Sequence, residues 1–315
     1  MDLLTDLLRQ CGVHRRLLDL RQLAPGRAVA FPCERSIGLH VVTRGRVYVH
    51  AEGLPEPLEL HAGDAAVMAR GCHHRLATQA QIDGLPVQTI RVDEGAPPEP
   101  GAAADDTTVI SGAYQLWHEP VHRLLNELPP WFVVRGDSLP RLSPLPLAIG
   151  LLEGEAPRRE PGAEMVVNGL LDALFAWLLR EWMARHGADR AGLALAVRDP
   201  AVREAVRHLH EAPARPWTLE SLAQAVGLSR SVLAERFRTA MGDTPLAYLR
   251  TLRMQQAMRL LAESDLTLER VAQAVGYQDA FGFSKVFKRE VGQAPGEFRR
   301  RDAAERQVPW RFAAS

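Results

Sequence analysis

The stretches "LESLAQAVGLSRSVLAERF" (Leu219–Phe237) and "LERVAQAVGYQDAFGFSKVF" (Leu268–Phe287) share the word AQAVG, and their reading decides the fold of the C-terminal third of this 315-residue chain. Leu219 pairs with Leu268, Ala223 with Ala272 and Gly227 with Gly276 at an offset of 49. Past the turn the offset becomes 50, matching Phe237 with Phe287, Gly242 with Gly292, Pro245 with Pro295 and Tyr248 with Phe298. One residue has been added in the second turn. Each copy reads as a helix, a glycine turn, a second helix and a Gly and Pro stop, the pattern of a helix-turn-helix.

Leu222 with Val226, and Val271 with Val275, supply the apolar face of each first helix. Gly227 and Gly276 allow the sharp reversal, since glycine enters positive φ without a Cβ clash. Ser229 and Asp279 are expected N-caps of the second helices, whose first turns would enter a DNA major groove. On the first of these, "SRSVLAERFRTAMG", Val232, Leu233 and Phe237 are assigned to the core, leaving Arg230, Ser231, Ala234, Glu235 and Arg238 outward. On the other, "DAFGFSKVFKREVG", Phe283 and Phe287 pack inward while Ala280, Phe281, Ser284, Lys285 and Lys288 face out. These ten outward residues are the candidate DNA-binding set, a mixture able to read base edges and grip phosphates. Gly282 weakens its helix by about 1 kcal/mol relative to alanine. Tied by "PLAYLRTLRMQQAMRLLAES", the two helices are expected to address successive major-groove faces about 34 Å apart.

Charge separates the two ends of the chain. From Ala194 onward there are 19 Lys and Arg against 14 Asp and Glu, whereas the whole chain is formally neutral. A basic C-terminal module on an acidic N-terminal one suits a polyanion binder with a separate partner domain. Two domains are expected from length, and 46% hydrophobic residues suffice for two cores. The opening "MDLLTDLLRQCGVHRRLLDL" lacks the regions of a signal peptide and reads as an amphipathic helix. No apolar run is long enough for a membrane span, so no membrane partner and a cytoplasmic location are expected. Cys11, Cys33 and Cys72 show no metal or redox spacing. Cys72 is the one candidate sensing thiol, because the neighbouring His73 and His74 could lower its pKa.

The segment from about Asp199 to Arg301 resembles the AraC/XylS family of bacterial transcription regulators, carried above all by "GYQDAFGFSKVFKREVGQAPGEFRR" (Gly276–Arg300). The resemblance implies a seven-helix module with two helix-turn-helix units joined by a long helix, here about Pro245 to Ala262. It places the base-reading face on Ser231, Ala234 and Glu235 in the first unit and on Ala280, Phe281, Ser284 and Lys285 in the second. Ala234 and Glu235 are unusual base readers and depart from that pattern. It also implies double-stranded promoter DNA and RNA polymerase as partners.

Short alternating runs from Phe31 to Arg91, such as "GLHVVTRGRVYVH", suggest a small barrel or sandwich. The polar loop "GAPPEPGAAADD" (Gly95–Asp106) is taken as its edge. A helix follows in "AEMVVNGLLDALFAWLLREWMARHG", with Val167, Leu170, Leu171, Leu174, Leu178 and Trp182 at helical spacing and Gly187 as its stop. So wide an apolar face must be buried, against the barrel or against a second copy of the chain. Asp199 and Pro200 open the next helix. "GDAAVMARGCHH" fits the second cupin motif, G-D-x4-P-x-G-x2-H, at Gly63, Asp64, Gly71 and His74, with Ala69 where the proline stands. With "GLHVVTRG", "CHHRL" and "SGAYQLWHEPVHRLLNELPPWFVV", the stretch from about Leu3 to Val134 resembles the cupin-type sensor domain of a subgroup of AraC-family regulators. Catalytic cupins add an H-x-H and a carboxylate around a metal, and this chain has no H-x-H there. His40, His50, His61, His73 and His74 leave three readings open: a metal site, a small-molecule or redox sensor, and a purely structural barrel.

The fold expected is therefore α+β, an N-terminal cupin-like β-barrel followed by an all-α module with two helix-turn-helix units. The domains are residues 1–134 (sensor), 135–193 (linker and helical, dimerising segment), 194–303 (DNA-binding) and 304–315 (tail). The function expected is a sequence-specific transcription factor, with no enzymatic activity, cofactor or metal, answering an unidentified effector for which His40 and His74 are the candidate binding residues. The rivals are a cupin metalloenzyme fused to a DNA-binding module and a constitutive DNA binder whose barrel only dimerises.

Overall fold

The computed structural model of the chain describes residues 13–33, 36–90, 107–116, 125, 128–140, 142–155, 160–186 and 193–307. The first half is built from β1 (Val13–Leu23), β2 (Ala28–Pro32), β3 (Ser36–Arg44), β4 (Arg46–Ala51), β5 (Leu58–His61), β6 (Ala65–Met68), β7 (His73–Ala77), β8 (Val87–Thr89), β9 (Thr107–Leu116) and β10 (Trp131–Val134). They form two five-stranded sheets, ordered β1-β9-β3-β6-β10 and β5-β4-β7-β2-β8. Side chains alternate across each strand. On β7, His74 and Leu76 are buried between the exposed His73 and Arg75. The inner faces meet in a core that includes Val29, Phe31, Val47, Val49, Met68 and Leu76.

Strand β3 is buried without a break from Ser36 to Val42, which a sheet covered on one face only would not allow. The second cover comes from α1 (Pro144–Glu155) and α2 (Ala163–His186). Leu171 of α2 sits where a Cβ on Gly112 of β9 would come within 2.9 Å of it, and the Phe175 ring lies 5.1 Å from that of Tyr114. The apolar face read from the sequence is thus buried on the first sheet, with Val167, Leu171, Leu174 and Leu178 all out of solvent. The expected stop at Gly187 lies outside the described residues.

Two expectations change. The N-terminal amphipathic helix gives way from Val13 to strand β1, which pairs with β9; residues 1–12 lie outside the described residues. A strand partner overrides a helical pattern of this length, because intrinsic propensity is weak beside sheet pairing. The loop 95–106 also lies outside the described residues, but it does not mark the end of the sheets. Strand β9, downstream of it, sits between β1 and β3.

The second half is helical: α3 (Leu193–Arg198), α4 (Pro200–Glu211), α5 (Leu219–Ala225), α6 (Arg230–Met241), α7 (Pro245–Glu263), α8 (Leu268–Ala274), α9 (Ala280–Val291) and α10 (Pro295–Gln307). Asp199 caps α4 by accepting from Ala201 N and Val202 N, with Pro200 at the first helical position. One core gathers Leu222, Leu233, Phe237, Tyr248 and Leu249, and a second gathers Val271, Val275, Phe283, Phe287 and Phe298. Helix α7 serves both, giving Leu252 to the first and Met254, Met258 and Leu261 to the second. The chain divides into two compact units, one holding both sheets with α1 and most of α2, the other holding α3 to α10. Among the described residues no helix is long and apolar enough to cross a membrane.

Candidate functional site

The two helix-turn-helix units are alike in the atoms that shape them. Gly227 and Gly276 turn with φ of 68° and 81°. At Gly276 a Cβ would also stand 2.6 Å from the Ala214 carbonyl oxygen. Both expected caps form: Ser229 Oγ accepts from Val232 N at 3.4 Å, and Asp279 Oδ1 from Gly282 N at 2.7 Å. These bonds fix where α6 and α9 begin, and thereby which residues lead each helix.

On α6, Leu233 and Phe237 are fully buried. Val232, assigned to the core from sequence, is 41% exposed. It stands about 100° around the helix from Leu233, off the Leu233–Phe237 stripe that faces α5 and α7. Arg230, Ser231, Glu235 and Arg238 are exposed and Ala234 is half-buried. On α9, Phe283 and Phe287 are fully buried while Phe281 is 83% exposed. Lys285 and Lys288 are exposed, with Ala280 and Ser284 half-buried beside them. All ten candidate residues therefore lie on the two second helices and none is fully buried.

Two arginines that sequence reasoning passed over hold the scaffold. Arg236 of α6 grips Asp199 through both carboxylate oxygens, at 2.9 Å and 2.7 Å. Partial burial pushes the Asp199 carboxyl up, but Arg236 and two helix N–H groups outweigh it and hold the group below its ordinary value. Arg253 of α7 donates to the carbonyls of Pro213 (2.8 Å) and Arg215 (2.9 Å). Its guanidinium also lies 5.7 Å over the Tyr277 ring. The linking helix is thereby tied to the entry of the first unit and to the turn of the second.

In the N-terminal unit the sheets bring His40 and His74 together. Their Nε2 atoms are 2.8 Å apart, His40 Nδ1 is 2.8 Å from Ser111 Oγ, and His74 Nδ1 is 3.0 Å from the Cys72 carbonyl oxygen. That carbonyl can only accept, so His74 Nδ1 carries its proton and Nε2 is bare. His40 Nε2 then donates to His74, leaving His40 Nδ1 to accept from the Ser111 hydroxyl. Burial, then the neighbouring His74, keeps the His40 imidazole well below its usual value. Burial pushes His74 down to about 4, so both rings are neutral near pH 7. Phe31 stacks flat on His74 at 5.0 Å, and Trp131 lies parallel to His40 at 6.2 Å.

The other histidines are not drawn in: His61 and His73 are exposed and His50 is half-buried. Asp64 of the cupin motif builds the fold, accepting from Arg135 Nη1 at 2.7 Å, Gly136 N at 2.8 Å and His61 N at 3.0 Å. A resident metal does not fit this pair. His40 and His74 spend every ring nitrogen on hydrogen bonds, and no group of three or more His, Cys, Asp or Glu side chains converges among the described residues. The sensing-thiol idea also changes: burial pushes the Cys72 thiol up, only partly opposed by the Trp131 indole, and burial does the same to Cys33. The His74 imidazole is neutral near pH 7, so it supplies no charge to stabilise a thiolate. Cys11 lies outside the described residues.

Comparison with known proteins matches residues 2–184 to the family model described as Cupin and residues 222–301 to the helix-turn-helix domain model. An AraC-like transcription regulator of Streptomyces lividans is 31% identical over 304 residues, covering 95% of this chain and 98% of that protein. The RCS-specific HTH-type transcriptional activator RclR of Escherichia coli (strain K12) is 30% identical over 197 residues, 62% of this chain and 69% of that protein. Among solved structures, the DNA-binding domain of AdpA, a global transcriptional factor in complex with a target DNA, is 32% identical. It covers 35% of this chain and 99% of that one, with a TM-score of 0.33.

Proposed function

The chain belongs to the AraC-like transcription regulators with an N-terminal cupin domain and a C-terminal DNA-binding helix-turn-helix domain, and from that premise we propose that α6 and α9 read adjacent half-elements of promoter DNA. The observation that carries this is the pair of capped helices whose leading turns are exposed, with Arg230, Arg238, Lys285 and Lys288 making no side-chain bond among the described residues. Arg238 and Lys288, in the last turns of the two helices, suit phosphate, while Arg230 at the head of α6 and Lys285 in the middle of α9 stand among residues suited to base edges. The test is a footprint on genomic fragments recovered by chromatin immunoprecipitation. Protection should fall on two neighbouring half-elements and disappear in an Arg230→Ala, Lys285→Ala variant.

The signal is read as a small molecule that reaches His74 from the pocket it lines with Phe31, His50 and Ile90 and exchanges a hydrogen bond of the His40–His74 pair and Ser111 for its own. Support comes from the burial of this polar circuit between aromatic rings, a setting in which few polar groups fix the orientation of a ligand. A thiol-based signal is less favoured, because Cys33 and Cys72 are held as thiols. An effector acts only by binding one arrangement of the protein more tightly than another. A second copy of the chain is the further partner, supported by the exposed Leu147, Leu151, Met165 and Val166 on α1 and the start of α2. Contact with RNA polymerase rests on family membership.

A further inference from the structure

The second recognition helix leads with a residue that the protein itself does not use. Phe281 is 83% exposed, whereas the two aromatic residues behind it on α9, Phe283 and Phe287, are fully buried and complete the local core. It stands at the second position after the Asp279 cap, in the turn that enters the major groove when a helix of this kind docks. Ser284, Lys285 and Lys288 follow at spacings of three, four and seven and so share its face. Ala280 precedes it and Gly282 follows, so no long side chain shields the ring. The three atoms nearest to a Cβ on Gly282 all belong to the Asp279 carboxylate, the first at 3.3 Å.

We propose that Phe281 reads the C5-methyl group of thymine, so that the second unit selects a thymine at one fixed step while the first unit reads polar base edges. This deepens the DNA-binding reading above and rests on it. Among major-groove base edges the thymine methyl is the apolar feature; the others are hydrogen-bond donors and acceptors. A phenyl ring set against a purine N7 or O6 would strip water from an acceptor and return no bond. The exposed face of α6 is mostly polar: beside the smaller Val232, Arg230, Ser231, Glu235 and Arg238 are exposed and all able to hydrogen-bond. Lys288 holds α9 against a phosphate flanking the step that Phe281 contacts. The operator is accordingly unlike in its two halves, one chosen by hydrogen bonds and one by a methyl group.

The test uses the full-length protein and a random-sequence DNA duplex pool prepared twice, once with thymidine and once with deoxyuridine throughout. Selection from the first pool should fix a thymine at one step of one half-element; selection from the second should leave that step unspecified, the other half-element being chosen as before. Phe281→Ser should lose the thymine preference in the first pool, and Phe281→Leu, still apolar, should keep it. On a single selected duplex, changing that thymine to uracil should weaken the wild-type protein about fourfold, the equivalent of one methyl group's burial, and leave Phe281→Ser unchanged. Uridine enriched at the same step as thymine, or equal sensitivity to the methyl group in both proteins, would overturn the proposal while leaving DNA binding intact. Failure to select any duplex would overturn the DNA-binding reading as well.

Discussion

Lowering the pH from 7 to 5 should withdraw stability from the N-terminal sheets through the His40–His74 pair. The unfolded chain protonates an ordinary imidazole near 6.5, whereas folded His74 holds off until about 4 because it is buried. Between those values the unfolded state binds more protons. The contribution is therefore complete above pH 6.5 and is lost as the pH falls towards 4. A displacement of that size corresponds to about 3 kcal/mol in full, of which about 2 kcal/mol has gone by pH 5. His40 is displaced in the same direction and steepens the loss. The assay is urea titration at several pH values with pulsed hydrogen exchange at one labelling pH, following peptides from Ser36–Arg44 and Pro245–Glu263 separately. The second peptide is an internal control, because burial also holds His210 down to about 4 in the helical unit. His74→Gln should lower stability at pH 7 and shrink the pH-dependent part in the first peptide by about 2 kcal/mol, leaving the second unchanged. An identical pH dependence of Ser36–Arg44 in wild type and His74→Gln would show that the buried imidazole pair does not govern it.

Further outcomes follow from the helical unit. Gly276→Ala should cost more than Gly227→Ala in thermal melts: both force alanine to positive φ, about 1–2 kcal/mol, but only Gly276 has a carbonyl where the Cβ would go. Arg236→Ala should lower stability by about 1 kcal/mol, the ion pair with Asp199 being partly open to solvent, without changing the sequences selected. Lys288→Ala should lower the salt dependence of DNA binding by about one counterion and weaken all sequences alike. Lys285→Ala should cost about 1–3 kcal/mol and shift the base preference, as read by competition among selected duplexes.

What was legible in the sequence was what is encoded locally. Ser229 and Asp279 cap residues three positions downstream, and the apolar faces of α5, α6, α8 and α9 repeat within a few turns, so the doubled unit could be read from its spacing. The joining of His40 to Ser111 spans 71 residues and that of Asp199 to Arg236 spans 37. Sheet pairing and helix docking create those contacts, and no periodicity announces them. Ser111 and Trp131 stood within a quoted stretch without a role for the same reason. Strand β1 was misread because its residues suit a helix until β9 is present to pair with. Val232 was misplaced because an apolar side chain next to the buried stripe of a helix is not necessarily part of it.

The most direct measurement of two-helix DNA reading is a base-resolution footprint of the full-length protein on a promoter fragment recovered from cells, beside the Arg230→Ala and Lys285→Ala variants singly and together. Two unlike half-elements about one helical turn apart should be protected, the first losing protection with Arg230→Ala, the second with Lys285→Ala, and both with the double variant. A footprint unchanged by these replacements would contradict two-helix reading.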